Sequence, residues 1–268
     1  MNNRQHIIND NLDDKTNKII NLAFLVGEIM LKNGAEAYRV ESTMIHILKK
    51  ATVCCYTEAF CVTTGVFISV YAPNTKPYTL IKRVHDRTTN LNNIAIANSI
   101  SREFCNDEIS VDVALFKINS IGAKLYPDYM FYLANISCII GFSFLFGGTI
   151  NEFLPAFIIS IILCICLYLF AKIQLNTFLT NLLSCFFISI NTYILSYFFK
   201  FNTGAVIISA LMPLLPGTAI TNSIRDTLNG DYMSGTAKGM EAIVIATSMA
   251  VGIAFGMITF KYFNGILY

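Results

Sequence analysis

Five apolar runs, nearly free of charge, occupy the second half of the chain at approximately 129–146, 153–171, 178–199, 205–224 and 239–260. No other feature restricts the fold as much. A bilayer core about 30 Å thick is crossed by a helix of about 20 mostly apolar residues, the length of each run. Backbone in lipid must satisfy its own hydrogen bonds, so such runs fold as helices. Three connections, at 147–152, 172–177 and 200–203, are short, and the one at 225–238 is the longest. Most Lys, Arg, Asp and Glu lie before residue 129, and only 13% of all residues are charged, against about 25% in an average soluble domain. The expected fold is an α+β cytosolic domain over 1–127, followed by a transmembrane helical domain over 128–268 with about five helices.

Net charge is +2 with no basic block, so no nucleic-acid partner is expected. The eight cysteines, Cys54, Cys55, Cys61, Cys105, Cys138, Cys164, Cys166 and Cys185, form no CxxC pair, and four lie in apolar runs. They read as free buried thiols, with neither metal nor cofactor. The N-terminus shows no apolar signal-peptide core, so the first half is expected in the cytosol. Lys124, Lys172, Arg225 and Lys238 then fall inside and Lys200 and Lys261 outside, a bias of the expected sign. Five spans put the C-terminus outside.

The third run carries Asn181, Ser184, Asn191, Thr192 and Ser196 near one helical stripe, which should face protein or water. Either helix packing or a substrate path explains it. In the fifth run Ser248, Gly252 and Gly256 recur every four residues, a stripe that lets another helix approach closely. It is read as a packing surface and as one contact through which a partner chain could dock.

The stretch "PLLPGTAITNSIRDTLNGDYMSG" (213–235) interrupts the apolar pattern. Pro213 and Pro216 donate no backbone hydrogen bond, so the carbonyls of Ser209 and Met212 should lose their helical partners. A fresh helix is expected at Gly217–Thr218, whose N–H groups and positive dipole end suit a carboxylate. Thr218, Thr221, Asn222 and Ser223 add polar groups. A substrate-lining role is the sharper reading, and a simple proline kink the plainer one. Arg225 and Asp226 point about 100° apart on a helix, so each needs its own partner. Asp231, Lys238 and Glu241 complete a charged edge. Lys238 and Glu241 are spaced to pair, and Glu241 is either a proton carrier or an interfacial salt-bridge partner.

In the polar half, 15–32 reads as an amphipathic helix with Ile19, Leu22, Ala23, Val26, Ile29 and Met30 inward, ended by Asn33-Gly34. A second helix over 35–51 turns Ala37, Val40, Met44, Ile47, Leu48 and Ala51 inward. Glu36 and Arg39 can pair. Glu41 falls inside the apolar stripe, so it is paired with a distant cation or protonated. Residues 53–71 and 78–84 suit strands, with "APNTKP" as a turn, and helices follow near 91–104 and 110–121. His46 and His85 lack metal-ligand spacing, and "HDR" at His85–Arg87 reads as a solvated strand end. No GxSxG, HExxH or phosphate loop is present.

Two segments together resemble the threonine/serine exporter family. "NGAEAYRVESTM" (33–44) resembles its opening motif, matched by Gly34, Glu36, Tyr38, Arg39 and Glu41, with Ala37 where the family has Thr. "PGTAITNSIRDTLNGDYMSGTAKGMEA" (216–242) resembles its membrane motif, matched by Pro216, Gly217, Asp226, Gly230, Asp231, Gly235 and Glu241. "NLNNIAIANSI" resembles the helix after the family's sheet. The resemblance implies a half-length member that works in the lipid bilayer with a separate small membrane subunit or as a homo-oligomer. It implies export of threonine and serine, or of a dicarboxylate such as succinate.

The combined expectation is a non-enzymatic, proton-coupled exporter subunit for small carboxylates. Pro216, Gly217, Thr218, Thr221, Asn222 and Asn191 bind substrate. Arg225, Asp226, Asp231, Lys238 and Glu241 couple or gate. The alternatives are a membrane-anchored hydrolase using Glu36, Arg39, Glu41 and His85, and an anchored regulatory domain.

Overall fold

The computed structural model describes residues 13–51, 54, 56–73, 77–84, 87–122 and 126–263. The chain forms two compact units, Met1–Ala123 with Thr218–Gly239, and Lys124–Gly217 with Met240–Tyr268.

The first unit is built around α1 (Asp14–Lys32), capped by Asp13, which accepts from the Thr16 N–H at 3.2 Å. Its inward face is wider than an amphipathic stripe. Ile20, Phe24, Leu25 and Leu31 are buried as deeply as Ile19, Leu22 and Val26. The reason is position. The helices α2 (Ala37–Leu48), α3 (Leu91–Cys105) and α4 (Val111–Asn119) all pack against α1, and so does the sheet. The expected inward residues of α2 are all buried. Met44 lies over Gly27 so closely that a Cβ there would come within 2.9 Å of its Cγ.

The sheet is an antiparallel meander of β1 (Tyr56–Val62), β2 (Gly65–Tyr71) and β3 (Tyr78–Arg83), in that order. Phe60 stands opposite Phe67, and Phe67 opposite Ile81. The β-rich run at 53–71 is therefore two strands joined at Thr63-Thr64. Ala59, Cys61, Val66, Ile68, Val70 and Leu80 form the buried face. Residues 74–76 of the "APNTKP" turn, and His85 and Asp86 of "HDR", lie outside the described residues, as do Cys55 and Lys124.

The second unit contains α5 (Asp128–Leu145), α6 (Ile150–Lys172), α7 (Thr177–Phe198) and α8 (Thr203–Leu211), which continues into a 3-10 turn at Met212–Leu214. Ile139, Ala156, Ile159, Leu163, Ile188, Val206 and Ala210 make its core. Thr149 and Glu152 form a capping box at the start of α6, and the second Glu152 oxygen accepts from the Asn202 N–H at 2.8 Å. Glu152 is 5% exposed. The Thr-x-x-Glu spacing announces such a box in sequence, but hydropathy alone reads 147–152 as a plain turn.

Two further helices, α9 (Gly217–Leu228) and α10 (Tyr232–Phe263), complete the chain. Among the described residues, α6, α7 and α10 are long and apolar enough to cross a membrane. Thr203–Leu214 with Gly217–Leu228 makes a fourth span if the bent pair is one span, and Tyr129–Leu145 is a shorter apolar helix. The five apolar runs of the sequence thus become three full helices, one interrupted stretch and one short helix.

The interruption falls where the prolines put it, but the carbonyls are not abandoned. The Met212 N–H donates to Ser209 O, and the Leu215 N–H to Met212 O at 3.4 Å. Tightening to 3-10 bonds replaces the partners that proline removes. Leu215 is extended and α9 restarts at Gly217.

The small-residue stripe of α10 is filled by α7 of the same chain. A Cβ on Gly252 would run into Leu182 O and come within 2.9 Å of Cys185 Cβ. One on Gly256 would sit 2.7 Å from Ser189 Cβ. Ser189 Oγ donates to Ile253 O at 3.0 Å, and Tyr193 stacks on Phe260. This corrects the reading of the stripe as a docking surface for another chain. The polar stripe of α7 is also used internally. Thr192 Oγ1 donates to Ile188 O, Ser196 Oγ to Tyr193 O, and Asn191 Nδ2 to Phe187 O at 2.8 Å.

Candidate functional site

The two motif segments, almost two hundred residues apart in sequence, meet in the first unit. The meeting point is the turn between α1 and α2. Gly34 takes φ +90°, which lets the Gly34 and Ala35 N–H groups bond back to Leu31 O and Met30 O. A side chain there would be strained in this left-handed region and would also press on Thr88 O at 3.2 Å. The Asn90 N–H to Asn33 O and Asn93 Nδ2 to Asn33 Oδ1 bonds, both 3.0 Å, brace the turn.

The turn leaves the carbonyls of Gly34 and Ala35 and the N–H of Ala37 without helical partners. One face of α9 supplies most of what they need, because Asn222, Arg225 and Asp226 stand at i, i+3 and i+4. Asn222 Nδ2 donates to Gly34 O at 2.9 Å, and Asp226 Oδ1 accepts from the Ala37 N–H at 3.1 Å. Lys238, from the first turns of α10, reaches Ala35 O at 3.5 Å and Asp226 Oδ2 at 2.7 Å. Asp226 is fully buried and the Lys238 side chain is 8% exposed.

Glu36, the N-cap of α2, is the second centre. Arg225 donates to its Oε1 at 2.6 Å and Arg39 to its Oε2 at 3.3 Å. Burial opposes ionisation of Glu36, but its own backbone N–H, Arg225 and Arg39 outweigh it and hold the carboxyl below the usual range. Both carboxylates sit at the N-terminus of α2, where the helix dipole favours negative charge.

The α9–α10 hairpin is locally specified. Gly230, at φ +88°, ends α9, and the Asp231 N–H bonds to Asp226 O at 2.9 Å. Asp231 then caps α10, accepting from the Ser234 N–H at 3.0 Å. Gly235 brings α10 onto α9, since a Cβ there would stand 3.0 Å from Thr227 N and 3.1 Å from Ser223 O. Ser223 Oγ donates to Gly235 O at 2.7 Å. The Gly, Asp and Gly of this motif are thus hairpin residues.

Glu41 lies half-buried on α2, and its Oε1 accepts from the Cys61 N–H on β1 at 2.8 Å. Burial raises its carboxyl above the usual range, with Asp231, Glu58 and Asp226 adding to the rise and the Cys61 bond opposing it. These surroundings shift Glu41 in the direction of the protonated form, and the hydrogen bond it makes is to the Cys61 N–H. Burial raises the Cys61 thiol strongly as well.

The remaining site residues are dispersed. Pro216 is buried and Gly217 opens α9, with open space where a Cβ would be. Thr218 Oγ1 lies 3.5 Å from Thr89 Oγ1, and Thr221 Oγ1 donates to Thr218 O. Asn191 is on α7, Tyr38 is half-buried on α2, and Glu241 is exposed on α10. The sequence paired Glu36 with Arg39 but not with Arg225, and treated Asn222 as a substrate ligand. The face shared by 222, 225 and 226 was the available signal. No group of three or more metal-ligating side chains is found among the described residues.

The family described as "Putative threonine/serine exporter" matches residues 21–260. A protein of Mycobacterium tuberculosis named "Probable threonine/serine exporter" is 20% identical over 249 residues, which is 90% of this chain and 46% of that protein. The chain spans about half the length of the curated relative it matches. No solved structure matches.

Proposed function

Because the chain belongs to the putative threonine/serine exporter family, we propose that it is a multi-pass membrane export subunit for small carboxylate-bearing metabolites. The observation that supports this most is the extent of the match, which takes in both the α1–α2 motif and the long apolar helices of the second unit. Threonine and serine are the first candidate cargoes, as the relative's name carries both. A dicarboxylate such as succinate shares the carboxylate that the start of α9 suits. In this reading the first unit is cytosolic and the end of α10 lies outside. Further spans, from a small membrane subunit or another copy, complete the pathway.

The roles of the candidate residues divide. Asn222, Arg225, Asp226 and Lys238 hold the hairpin on the α1–α2 turn. Gly217, Thr218 and Thr221, at the start of α9, are assigned to the substrate carboxylate. Glu241, exposed near the apolar stretch of α10, is assigned to proton coupling. The test is efflux of labelled threonine, serine and succinate from cells expressing the chain with and without a co-expressed small family subunit. Gly217→Leu should stop efflux without lowering membrane insertion. Absence of efflux for all three substrates in both settings would defeat the reading.

A further inference from the structure

A recess of about 310 Å³ opens between α2 and α3 in the first unit, away from the hairpin contacts. Ser42, Thr43 and His46 line it from α2, and Asn98, Arg102 and Asn106 from α3 and its cap, with Ser101 and Cys105 between them. No aliphatic or aromatic hydrophobic side chain takes part, so the recess suits a hydrophilic occupant. Its volume lies at the small end of ligand sites, about 300–1,000 Å³. No carboxylate lines it, and Arg102 supplies the one permanent cation, with a fork that matches a carboxylate. His46 Nδ1 lies 2.6 Å from Ser42 O. A carbonyl only accepts, so Nδ1 carries a proton, and in the uncharged tautomer with that proton Nε2 is an acceptor. The amide oxygens of Asn98 and Asn106 and the hydroxyl of Ser42 add acceptors. The lining residues come from the C-terminal parts of both helices, where the dipole favours positive charge.

We propose that this recess binds a small polar amino acid, its single carboxylate on Arg102 and its ammonium and hydroxyl on the asparagine amides and His46. A single arginine favours one carboxylate over two. The ligand class overlaps the cargo of the proposed function, and the inference rests on that reading only for its biological sense. Thr43 also donates to Arg39 O at 2.8 Å, one turn from Glu36, so the occupant touches the helix that holds Arg225.

The test is isothermal titration of the full chain in detergent with threonine, serine, threonine amide and succinate. Threonine or serine should bind saturably, threonine amide and succinate at least tenfold more weakly. Arg102→Gln and Asn98→Ala should each weaken binding about tenfold. Arg102 is exposed, so its replacement leaves the fold intact, which circular dichroism checks. Gly217→Leu alters only the export-pathway site and should leave the Arg102-dependent binding in place. No saturable heat from threonine or serine would overturn the proposal. So would equal affinity in Arg102→Gln, or binding lost in Gly217→Leu and kept in Arg102→Gln. Absence of efflux from the parent chain, with saturable threonine or serine binding retained, would count against the export reading alone.

Discussion

Asp226→Asn should destabilise the first unit for a reason separate from transport. The Asp226 carboxylate is fully buried, 2.7 Å from Lys238 Nζ, and Lys238 is itself nearly buried. Removing one partner of a buried pair costs about 3–5 kcal/mol because the other charge stays in low dielectric without compensation. Asparagine can still accept from the Ala37 N–H, so the lower end, about 3 kcal/mol, is expected. At about 3 °C per kcal/mol for a unit of this size, the melting point should fall about 10 °C. Dye labelling of Cys61 follows this, read as the rise above labelling of the half-buried Cys54 and Cys105, since Cys61 is fully buried and burial raises its thiol. Asp226→Asn combined with Lys238→Met removes both charges and should return to within about 1 kcal/mol of the parent. A single variant that melts with the parent, or a double variant as weak as the single, would refute the reasoning. The pair also bears on export. Loss of efflux in Asp226→Asn follows from a loosened hairpin alone, whereas efflux restored in the double variant would remove Asp226 as a proton carrier.

Gly252→Ala places a methyl against Leu182 O and Cys185 Cβ and should cost about 1–3 kcal/mol in a melt that follows dye labelling of the fully buried Cys185. Gly141→Ala, on α5 with open space around it, should be neutral or slightly stabilising, and equal losses would show that the α7–α10 contact is loose. Glu41→Gln tests the half-buried carboxyl. The folded chain holds this proton at pH values where the unfolded chain has lost it, since burial, Asp231, Glu58 and Asp226 raise the folded value. That stability is complete below the unfolded value, about 4.3, and is lost as pH rises through the folded value. Glu41→Gln should therefore gain on the parent in chemical denaturation as pH rises from 4 towards 7, and a pH-independent difference would refute the shift.

Local patterns carried the elements. The apolar spacing of α2 named every buried position on it, and Gly34, Pro216 and Gly217 marked the turn, the break and the restart, because backbone freedom and proline chemistry act within a few residues. The start of α9 at Gly217 and the pairing of Glu36 with Arg39 were legible for the same reason. Length read the five apolar runs as equivalent, and it could not tell a long helix from a broken one. The allegiance of 218–239 was not legible at all. Its apolar neighbours assign it to the membrane half, while Asn222, Arg225, Asp226 and Lys238 bind it to a turn at 34–37. A charge in a sequence says only that it needs a partner. Which partner it finds depends on the turn geometry that strands the Gly34 and Ala35 carbonyls and the Ala37 N–H, and on the α10 packing that buries Lys238 beside Asp226. Hydropathy and periodicity determined where the helices are, and the unsatisfied groups at their ends, paired only in three dimensions, decided which of them belong together.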